Sequence, residues 1–200
     1  MAPADTPLAG KQRIMDVAAG LFIERGVDGA SLRQIADLVG MKAGSLYYHF
    51  GSKNELLSAV FERGIEVMMT AFSEANAASS TLPGRDRVAA HVRAHLAALF
   101  ENGPYTAAHV TAFRTAPAEV RHTIVPVRDG YEAMWADLLR ELSHSGAIAE
   151  STPLGLHRLL LFGSMNASVE WFDPGRGNLD DLAIAITNQF WDGLAQEAPA

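Results

Sequence analysis

A chain of 200 residues, of which 48% are hydrophobic and 20% charged, has the composition of an ordinary folded protein, which excludes a disordered chain. It contains no cysteine, which excludes disulfides and thiolate metal sites and favours a reducing, cytoplasmic location. The net charge is −7, and no uncharged apolar run is long enough to span a bilayer, so we expect no membrane partner.

The acidic charge is unevenly distributed along the chain. Residues 1–60 contain six basic and six acidic side chains, so the whole excess of acid lies in the remaining 140 residues. The first 60 residues are therefore compatible with a nucleic-acid partner, with moderate attraction to phosphate and ordinary salt sensitivity.

The amino-terminal part is predicted to begin with a flexible arm at residues 1–10, which lacks the pattern of a secretory signal. From Lys11 to Arg25, apolar residues recur with helical spacing, which predicts a first helix. Gly26 and Gly29 follow and indicate a turn.

The segment from Ser31 to Glu55 is the most informative stretch of the chain. Ser31 and Gln34 have capping-box spacing, and Gly40 is placed to end the helix that they begin. A second helix, Ala43–Phe50, is only about two turns long and cannot be stable alone. A second capping box, Ser52 with Glu55, begins the next helix. This order of elements is typical of a helix-turn-helix DNA-binding unit: a helix, a turn at a glycine, and a short helix that carries polar and aromatic residues.

The rest of the chain is also predicted to be helical, because no alternating strand pattern is present. A long helix from Lys53 to about Ala78 contains Gly64, which we expect to be a point of flexure. A linker-like break, Ala77–Gly84, follows. Five further helices are expected: Arg85–Glu101; a short one between Pro104 and Pro117; Ala118–Ser145, interrupted or bent at Pro126; one capped by Thr152, with Pro153 in its first turn, reaching Trp171; and Asn178 to about Leu194. The fold class is all-α, with about nine helices.

The last two helices, about 153–172 and 178–195, are predicted to form a homodimer interface. The first of them is apolar on nearly every side, and such a helix must be buried on more than one side. A two-fold dimer would also place two DNA-binding helices about one DNA turn apart, as a pseudo-palindromic operator requires. The alternative is that both helices close one large monomeric core.

The run LRQIADLVGMKAGSLYYHFGSKNELL resembles the DNA-binding signature of the tetracycline-repressor (TetR) family of bacterial transcription regulators. The resemblance covers roughly residues 11–60, and LYYHFGSKNELL, Leu46–Leu57, is its most specific part. It implies a helix-turn-helix DNA-binding domain at 11–55 and a ligand-binding and dimerisation domain at 56–200, in which the two carboxy-terminal helices form the dimer bundle.

The resemblance also implies roles for individual residues. Tyr47 matches a tyrosine that reaches into the major groove or its wall, and His49 and Lys53 match positions that contact phosphates. Lys42 stands where the family often has a Ser or Thr cap, and Ala43 where a larger residue is frequent. Tyr48 is alternatively a packing residue. The expected DNA-binding residues are Ser31, Arg33, Gln34, Lys42, Ala43, Gly44, Ser45, Tyr47, Tyr48, His49 and Lys53.

A regulator of this kind usually responds to a small-molecule ligand. The middle helices carry methionine and aromatic residues together with a few polar groups. This combination suits a pocket for a mostly apolar ligand. The alternative for each residue is a place in the core. The candidate ligand-binding residues are Met68, Phe72, His95, Phe113, Arg114, Arg121, Tyr131, Trp135, Met165 and Asn166. The segments Ile124–Trp135 and Val169–Pro174 are similar to those of family members that sense acyl-CoA thioesters, which implies an acyl-CoA or another hydrophobic anion as ligand.

The sequence contains no catalytic or metal-binding motif that would indicate a function other than DNA binding. His91 and His95 share a helical face, but no carboxylate completes a metal motif, and we expect neither metal nor cofactor. No nucleophile elbow, phosphate loop, dinucleotide fingerprint or zinc-protease motif is present. Two functions stay open: a DNA-binding regulator released from its operator by a ligand, and a helical carrier or enzyme with an incidental helix-turn-helix segment.

Overall fold

The structure, a computed structural model, describes residues 7–192, and within that range the chain forms nine α-helices and no strand. Two short 3-10 helices, Phe113–Thr115 and Ser168–Glu170, extend helices α6 and α8. The α-helices are α1 (Pro7–Gly29), α2 (Leu32–Leu38), α3 (Ala43–His49), α4 (Lys53–Ser79), α5 (Gly84–Phe100), α6 (Tyr105–Ala112), α7 (Ala118–His144), α8 (Leu154–Ala167) and α9 (Leu179–Asp192). The predicted all-α fold is confirmed.

These helices form two compact units. The first contains α1–α3, α4 as far as Glu66, α6, and α7 as far as Val127; the second contains the rest of α4 and α7 together with α5, α8 and α9. Helices α4 and α7 therefore each contribute to both units. The functional division predicted at residue 55 is a different partition of the chain and stays a prediction.

The predicted capping box of α2 is present. Ser31 Oγ accepts a hydrogen bond from the Gln34 N–H at 3.2 Å, and Gln34 Oε1 accepts one from the Ser31 N–H at 2.9 Å. The predicted glycine stop is also present, because Gly40 has a φ of 69° and the Met41 N–H reaches back to the Ala36 carbonyl at 2.9 Å. Backbone N–H groups at the start of this short helix and backbone carbonyl groups at its end are thus paired by local hydrogen bonds.

Helix α3 depends on its neighbours for its position. Its Leu46 and the following Phe50 are 0% and 1% exposed, so they anchor its inner side. The ammonium group of Lys11 in α1 lies 5.2 Å from the centroid of the Phe50 ring, and Arg13 Nη2 donates to the Val39 carbonyl at 2.9 Å. Helix α1 therefore fixes both the end of α2 and the inner side of α3.

The predicted cap of α4 forms in a modified way. Ser52 Oγ accepts a hydrogen bond from the Glu55 N–H at 3.1 Å, as the pattern requires. The Glu55 carboxylate reaches one residue further back than expected and accepts from the Gly51 N–H at 2.8 Å. Gly51 and Ser52, the two residues just before Lys53, are thereby fixed.

The structure corrects the prediction at the amino terminus. Residues Pro7–Gly10, predicted as the end of a flexible arm, already belong to α1, while residues 1–6 lie outside the described range. The turn predicted at Gly26 is present as a break within α1, where this glycine has a φ of 69°.

Three further boundaries differ from the predictions. Helix α7 continues through Pro126, so the predicted interruption is absent, and the alternative that the helix bends there stays a prediction. Helix α8 begins at Leu154, and Thr152 does not cap it, because Pro153 is itself the capping residue with a non-helical ψ of 76°. The α-helix ends at Ala167, before Trp171. Leu194, predicted in the last helix, lies outside the described residues.

Gly64 is a point of close approach within the first unit and not the predicted point of flexure. A Cβ atom at this position would lie 2.5 Å from the Tyr105 carbonyl oxygen and 3.1 Å from the Thr106 Cα. The Thr106 hydroxyl also donates to the Gly64 carbonyl at 3.0 Å. Helices α4 and α6 can pack this closely only because residue 64 has no side chain.

Gly64→Ala is therefore expected to destabilise the protein by about 1–3 kcal/mol, because the added methyl group meets backbone atoms that cannot rotate away. Urea unfolding measures the change. Gly20→Ala in α1 is the matched control, since a Cβ there meets nothing within 4 Å, and we expect it to be neutral or slightly stabilising. Equal stability of the two variants would contradict the close packing.

None of the helices in the described range is both long enough and apolar enough to cross a membrane.

Candidate nucleic-acid interface and ligand site

The recognition helix α3 exposes most of its surface. Leu46 is fully buried, whereas Tyr47 is 54% and Tyr48 85% exposed. Lys42, Ala43, Gly44 and Ser45 at its amino-terminal end are exposed, and His49 is half-buried. With Leu46 directed inward and His49 half-buried, the other positions of α3 are available to a partner.

Four predicted DNA-binding residues line a single open groove. They are Ser31 and Arg33 from the start of α2, Tyr47 from α3 and Lys53 from the start of α4. The groove thus combines two helix amino termini, two cations and an aromatic hydroxyl, the groups that bind phosphate oxygens in protein–DNA complexes. Asp28, Gly51 and Ser52 also line it, although the sequence analysis did not select them.

Tyr48 does not pack in the protein interior, so the alternative interpretation of this residue is wrong. Leu46 and Phe50 already occupy the two inward positions of this short segment, which leaves residue 48 facing outward. The Tyr48 ring makes only an edge contact with the His49 ring, at a centroid distance of 5.6 Å. Tyr48 is therefore accessible to a partner, as the DNA-binding assignment requires.

Two other positions are held by contacts within the protein. The Gln34 side chain forms the α2 cap, so its oxygen is engaged. His49 lies against Gly10, where a Cβ would be 3.3 Å from the imidazole Nε2. Lys42 makes no side-chain cap for α3, as predicted from its departure from the usual Ser or Thr.

The second unit contains a buried polar cluster centred on His95. The imidazole Nδ1 lies 2.8 Å from the Tyr131 hydroxyl, and Nε2 lies 3.0 Å from Asn166 Oδ1. Because the amide oxygen can only accept, Nε2 carries the proton and Nδ1 accepts from the tyrosine. Burial lowers the pKa of His95 to about 4, with the hydrogen bond to Asn166 acting in the opposite direction, so the ring is neutral near pH 7.

The protein is therefore expected to lose stability between pH 6.5 and pH 4 on account of His95. The unfolded state takes up a proton as the pH falls through 6.5, whereas folded His95 resists protonation until about pH 4. The stabilisation is complete above pH 6.5, and about 3 kcal/mol of it is lost on acidification. Urea unfolding at a series of pH values measures it, and His95→Gln should show a correspondingly smaller loss. Parallel pH profiles of the two proteins would contradict this assignment.

Aromatic side chains surround this cluster. The Phe72 ring centroid lies 4.3 Å from that of His91 and 5.4 Å from that of Trp135. His91 Nδ1 donates to the Arg87 carbonyl at 2.7 Å, which leaves Nε2 as an acceptor, and burial lowers the pKa of this histidine. His91 Nε2 is buried and has no hydrogen-bond partner among the described residues. Burial raises the pKa of Tyr131, and a hydrogen bond with the Trp135 side chain acts in the opposite direction, so the indole has a polar partner. One buried acceptor is thus unsatisfied in an apolar setting, which is costly unless a further group binds it.

The candidate ligand-binding residues do not all belong to this cluster. Phe72, His95, Tyr131, Trp135 and Asn166 contact one another within it, either directly or through shared neighbours. Met68 and Met165 are buried in the same unit.

Phe113, Arg114 and Arg121 belong to the first unit, where they have other surroundings. Phe113 packs against Phe61, and Arg114 is exposed. Arg121 Nη1 donates to the Ala116 carbonyl at 2.6 Å, so its guanidinium fixes the turn before α7. The assignment of these three residues to ligand binding stays a prediction.

His91 and His95 each bond to groups other than a metal. Across residues 7–192, no group of three or more histidine or acidic side chains is arranged to hold a metal ion.

Helix α8 leaves large apolar side chains uncovered. Leu156, Leu159 and Leu160 are each more than half exposed, and so is Ile184 on α9. Leu160 also lines a groove between α8 and α9. The interpretation that these helices close a monomeric core does not account for this apolar surface.

Two family profiles match the sequence. Residues 14–60 match the profile for bacterial regulatory proteins of the tetR family, and residues 81–194 match that of the tetracyclin repressor-like carboxy-terminal domain. The HTH-type transcriptional repressor KstR2 of Rhodococcus jostii (strain RHA1) is 26% identical over 187 residues, which cover 92% of this chain and 91% of the relative.

Solved structures share the fold. The ketosteroid transcriptional regulator KstR2 of Mycobacterium tuberculosis superimposes with a TM-score of 0.77 at 22% identity, over 94% of this chain and 95% of that chain. AibR, solved in complex with isovaleryl coenzyme A and operator DNA, superimposes with a TM-score of 0.79 at 21% identity, over 90% of this chain and 97% of that chain.

Proposed function

The chain belongs to the tetR family of bacterial regulatory proteins, and from this membership we propose that it is a cytoplasmic, ligand-responsive repressor that leaves its operator when an acyl-CoA-type molecule binds. The groove lined by Ser31, Arg33, Tyr47 and Lys53 is the observation that carries the proposal. A carrier or an enzyme would have no use for exposed Tyr47 and Tyr48 on a short helix beside two helix amino termini.

In the groove and along the exposed side of α3, each residue type has a distinct task. Arg33, Lys53 and the amino terminus of α2 bind phosphates, which positions the protein on the duplex. Lys42, Ala43, Gly44 and Ser45, at the start of α3, lie nearest the base edges, where sequence is read. His49 contacts phosphate, and Tyr47 and Tyr48 contact the wall of the major groove.

The ligand is a largely apolar molecule with a polar group. This class is supported by the aromatic surroundings of His95 and by the unsatisfied acceptor His91 Nε2. It is also supported by AibR, which has been solved with isovaleryl coenzyme A, and by KstR2, a ketosteroid regulator. The class that we propose is an acyl-CoA ester with an aliphatic or polycyclic acyl group.

The functional form is a homodimer joined through α8 and α9. The exposed leucines of α8 and Ile184 of α9 provide the apolar surface. Two-fold pairing would make this interface self-complementary and give the dimer two copies of α3 for two half-sites.

Ligand binding changes DNA affinity through α4. This helix carries Lys53 at its start and Phe72, which packs in the aromatic cluster, further along. A ligand that displaces Phe72 favours a second position of α4, and the spacing of the two recognition helices then no longer fits both half-sites. The shift requires that ligand binds the second position more tightly than the first.

A gel-shift experiment tests the proposal. The protein is mixed with the DNA upstream of its own gene over a range of salt concentrations, and then titrated with isovaleryl-CoA, octanoyl-CoA, steroid-derived CoA esters and the free acids. We expect a sequence-specific shift that weakens with salt and is reversed by at least one CoA ester. The absence of any specific shift at all salt concentrations would overturn the regulatory function, and a shift that no compound reverses would overturn the proposed ligand class.

A further inference from the structure

We infer that Tyr105 in α6 is a positioning residue for operator recognition: its hydroxyl holds α1 through Asp16 and Gln12, and α1 in turn holds both helices of the helix-turn-helix unit. The inference rests on the proposed function, because operator binding is the activity that this position serves. It adds a buried residue outside the predicted domain 11–55 to those on which operator affinity depends.

The Tyr105 hydroxyl uses both of its hydrogen-bonding functions on α1. It donates to the Asp16 carboxylate and accepts from the Gln12 side-chain amide at 2.7 Å. The same amide also donates to Asp16 at 3.1 Å, so the three side chains are joined to one another. Burial raises the pKa of Tyr105, and the hydrogen bond to Asp16 raises it further, so the hydroxyl keeps its proton and can donate at neutral pH.

The backbone that carries this hydroxyl is itself held in place. The Tyr105 carbonyl oxygen lies so close to α4 that a Cβ at Gly64 would be 2.5 Å from it. The next residue, Thr106, donates its hydroxyl to the Gly64 carbonyl at 3.0 Å. The start of α6 is therefore fixed against α4, and Tyr105 connects this fixed point to α1.

The same turn of α1 contacts both helices of the helix-turn-helix unit. Lys11 and Arg13 flank Gln12 in the sequence. The Lys11 ammonium lies over the Phe50 ring at the end of α3, and Arg13 donates to the Val39 carbonyl at the end of α2. A shift of α1 by one residue corresponds to about 1.5 Å along its axis and about 100° of rotation, so even part of such a shift would displace both contacts.

A contribution to stability alone explains these hydrogen bonds less well. Helix α1 is already anchored in the core by apolar side chains such as Ile14 and Ala18, both 0% exposed. Apolar packing has no preferred direction, whereas hydrogen bonds do, so the Tyr105 hydroxyl is suited to fix the rotation and axial position of α1. Asp16 and Gln12 are exposed, so water can replace the hydroxyl as their partner, and its loss should cost little stability.

Tyr105→Phe tests the inference in two measurements, because it keeps the ring and removes only the hydroxyl. In hydrogen–deuterium exchange of the full-length protein without DNA, residues 41–50 should exchange about tenfold faster, while α9 stays within about twofold of the wild type. In anisotropy with labelled operator DNA, affinity should fall about tenfold with unchanged salt dependence, since no cation is removed. Thermal melts check that the variant is folded.

Three further variants separate positioning from a general effect. Thr111→Val removes a hydroxyl of the same helix that donates within α6, to the Ala107 carbonyl at 2.8 Å, and should stay within about twofold in both measurements. Asp16→Ala should reproduce the loss, and the Tyr105→Phe/Asp16→Ala double variant should lose no more than about twofold beyond either single variant. Asp16→Asn keeps an oxygen that accepts from Tyr105, so it should retain most of the operator affinity.

The inference is overturned if Tyr105→Phe leaves operator affinity unchanged, if Thr111→Val weakens it equally, if the two single losses add in the double variant, or if exchange in α9 accelerates as much as in residues 41–50. None of these results touches operator binding by the wild type. If the wild type itself binds no specific DNA, the proposed function fails, and exchange decides the position of α1 alone: acceleration confined to residues 41–50 supports the hold by Tyr105, and unchanged exchange refutes it.

Discussion

Tyr47→Ala is expected to abolish specific operator binding and to leave both the fold and the oligomeric state unchanged. Tyr47 is 54% exposed on a helix whose inner contacts come from Leu46, so its removal takes little from the core. It lines the groove together with Ser31, Arg33 and Lys53, which places its ring and hydroxyl on the surface proposed to meet DNA.

The expected size of this effect follows from the symmetry of the complex. A lost contact in the major groove costs about 1–3 kcal/mol, and a dimer on a palindromic operator loses it twice. Operator affinity should therefore fall about a hundredfold or more. The salt dependence of the remaining binding should be unchanged, because no cation has been removed.

Fluorescence anisotropy with labelled operator DNA measures the affinity, and circular dichroism and sedimentation velocity check the fold and the oligomeric state. Tyr47→Phe is the matched variant, since it keeps the ring and removes only the hydroxyl. A loss shared by both variants assigns the contact to the hydroxyl, whereas a loss in Tyr47→Ala alone assigns it to the ring. Dissociation of the dimer in Tyr47→Ala, or unaltered operator affinity, would show that this residue has been misplaced.

The parts of the fold that could be predicted from the sequence are those governed by short-range contacts. The Ser31–Gln34 cap closes within one helical turn, and Gly40 ends α2 through hydrogen bonds to residues just before it. Such features depend on a few consecutive residues, so the spacing of those residues alone was enough to predict them. The recognition helix followed from them, because it lies between two capped helices.

Contacts between residues distant in the sequence could not be predicted in this way. Gly64 has the spacing of a flexure point in a long helix, and only the Tyr105 backbone shows why a side chain is excluded there. Pro126 removes one hydrogen bond from α7, yet the helix continues, and Ile124 and Tyr131 on the two sides of the proline are both buried.

In the candidate ligand site, too, contacts between residues distant in the sequence could not be predicted. The sequence analysis selected His95, Tyr131, Trp135 and Asn166 by residue type, but could not pair them. It also gave equal weight to Arg121, whose guanidinium bonds the Ala116 carbonyl.

Leu160→Glu is expected to convert the dimer into a monomer. Leu160 is 59% exposed in the single chain and lines the groove between α8 and α9, beside the exposed Leu156 and Leu159. In the proposed two-fold interface, each copy would lose the burial of one leucine and would have to bury one carboxylate. The first loss alone is about 2 kcal/mol per chain, so dimerisation should weaken about a thousandfold or more.

Operator binding should be lost together with the dimer, although α3 itself is unaltered. A monomer can contact only one half-site, so it forgoes the gain in effective concentration that comes from two linked recognition helices. Sedimentation velocity measures the oligomeric state, and anisotropy with a full operator and with a single half-site separates the two effects. Weak half-site binding should survive in Leu160→Glu, whereas Tyr47→Ala should abolish it.

The matched control is Leu82→Glu, which introduces the same charge at another exposed leucine, in the turn between α4 and α5. It should remain a dimer and bind the operator normally, since a charge on a solvated turn costs little. If Leu160→Glu is still a dimer, the two chains meet elsewhere and the apolar surface of α8 and α9 needs a different partner. If Leu160→Glu is monomeric yet binds the full operator as tightly as the wild type, DNA recognition does not depend on dimerisation. The operator is then not read as two half-sites by two linked copies of α3.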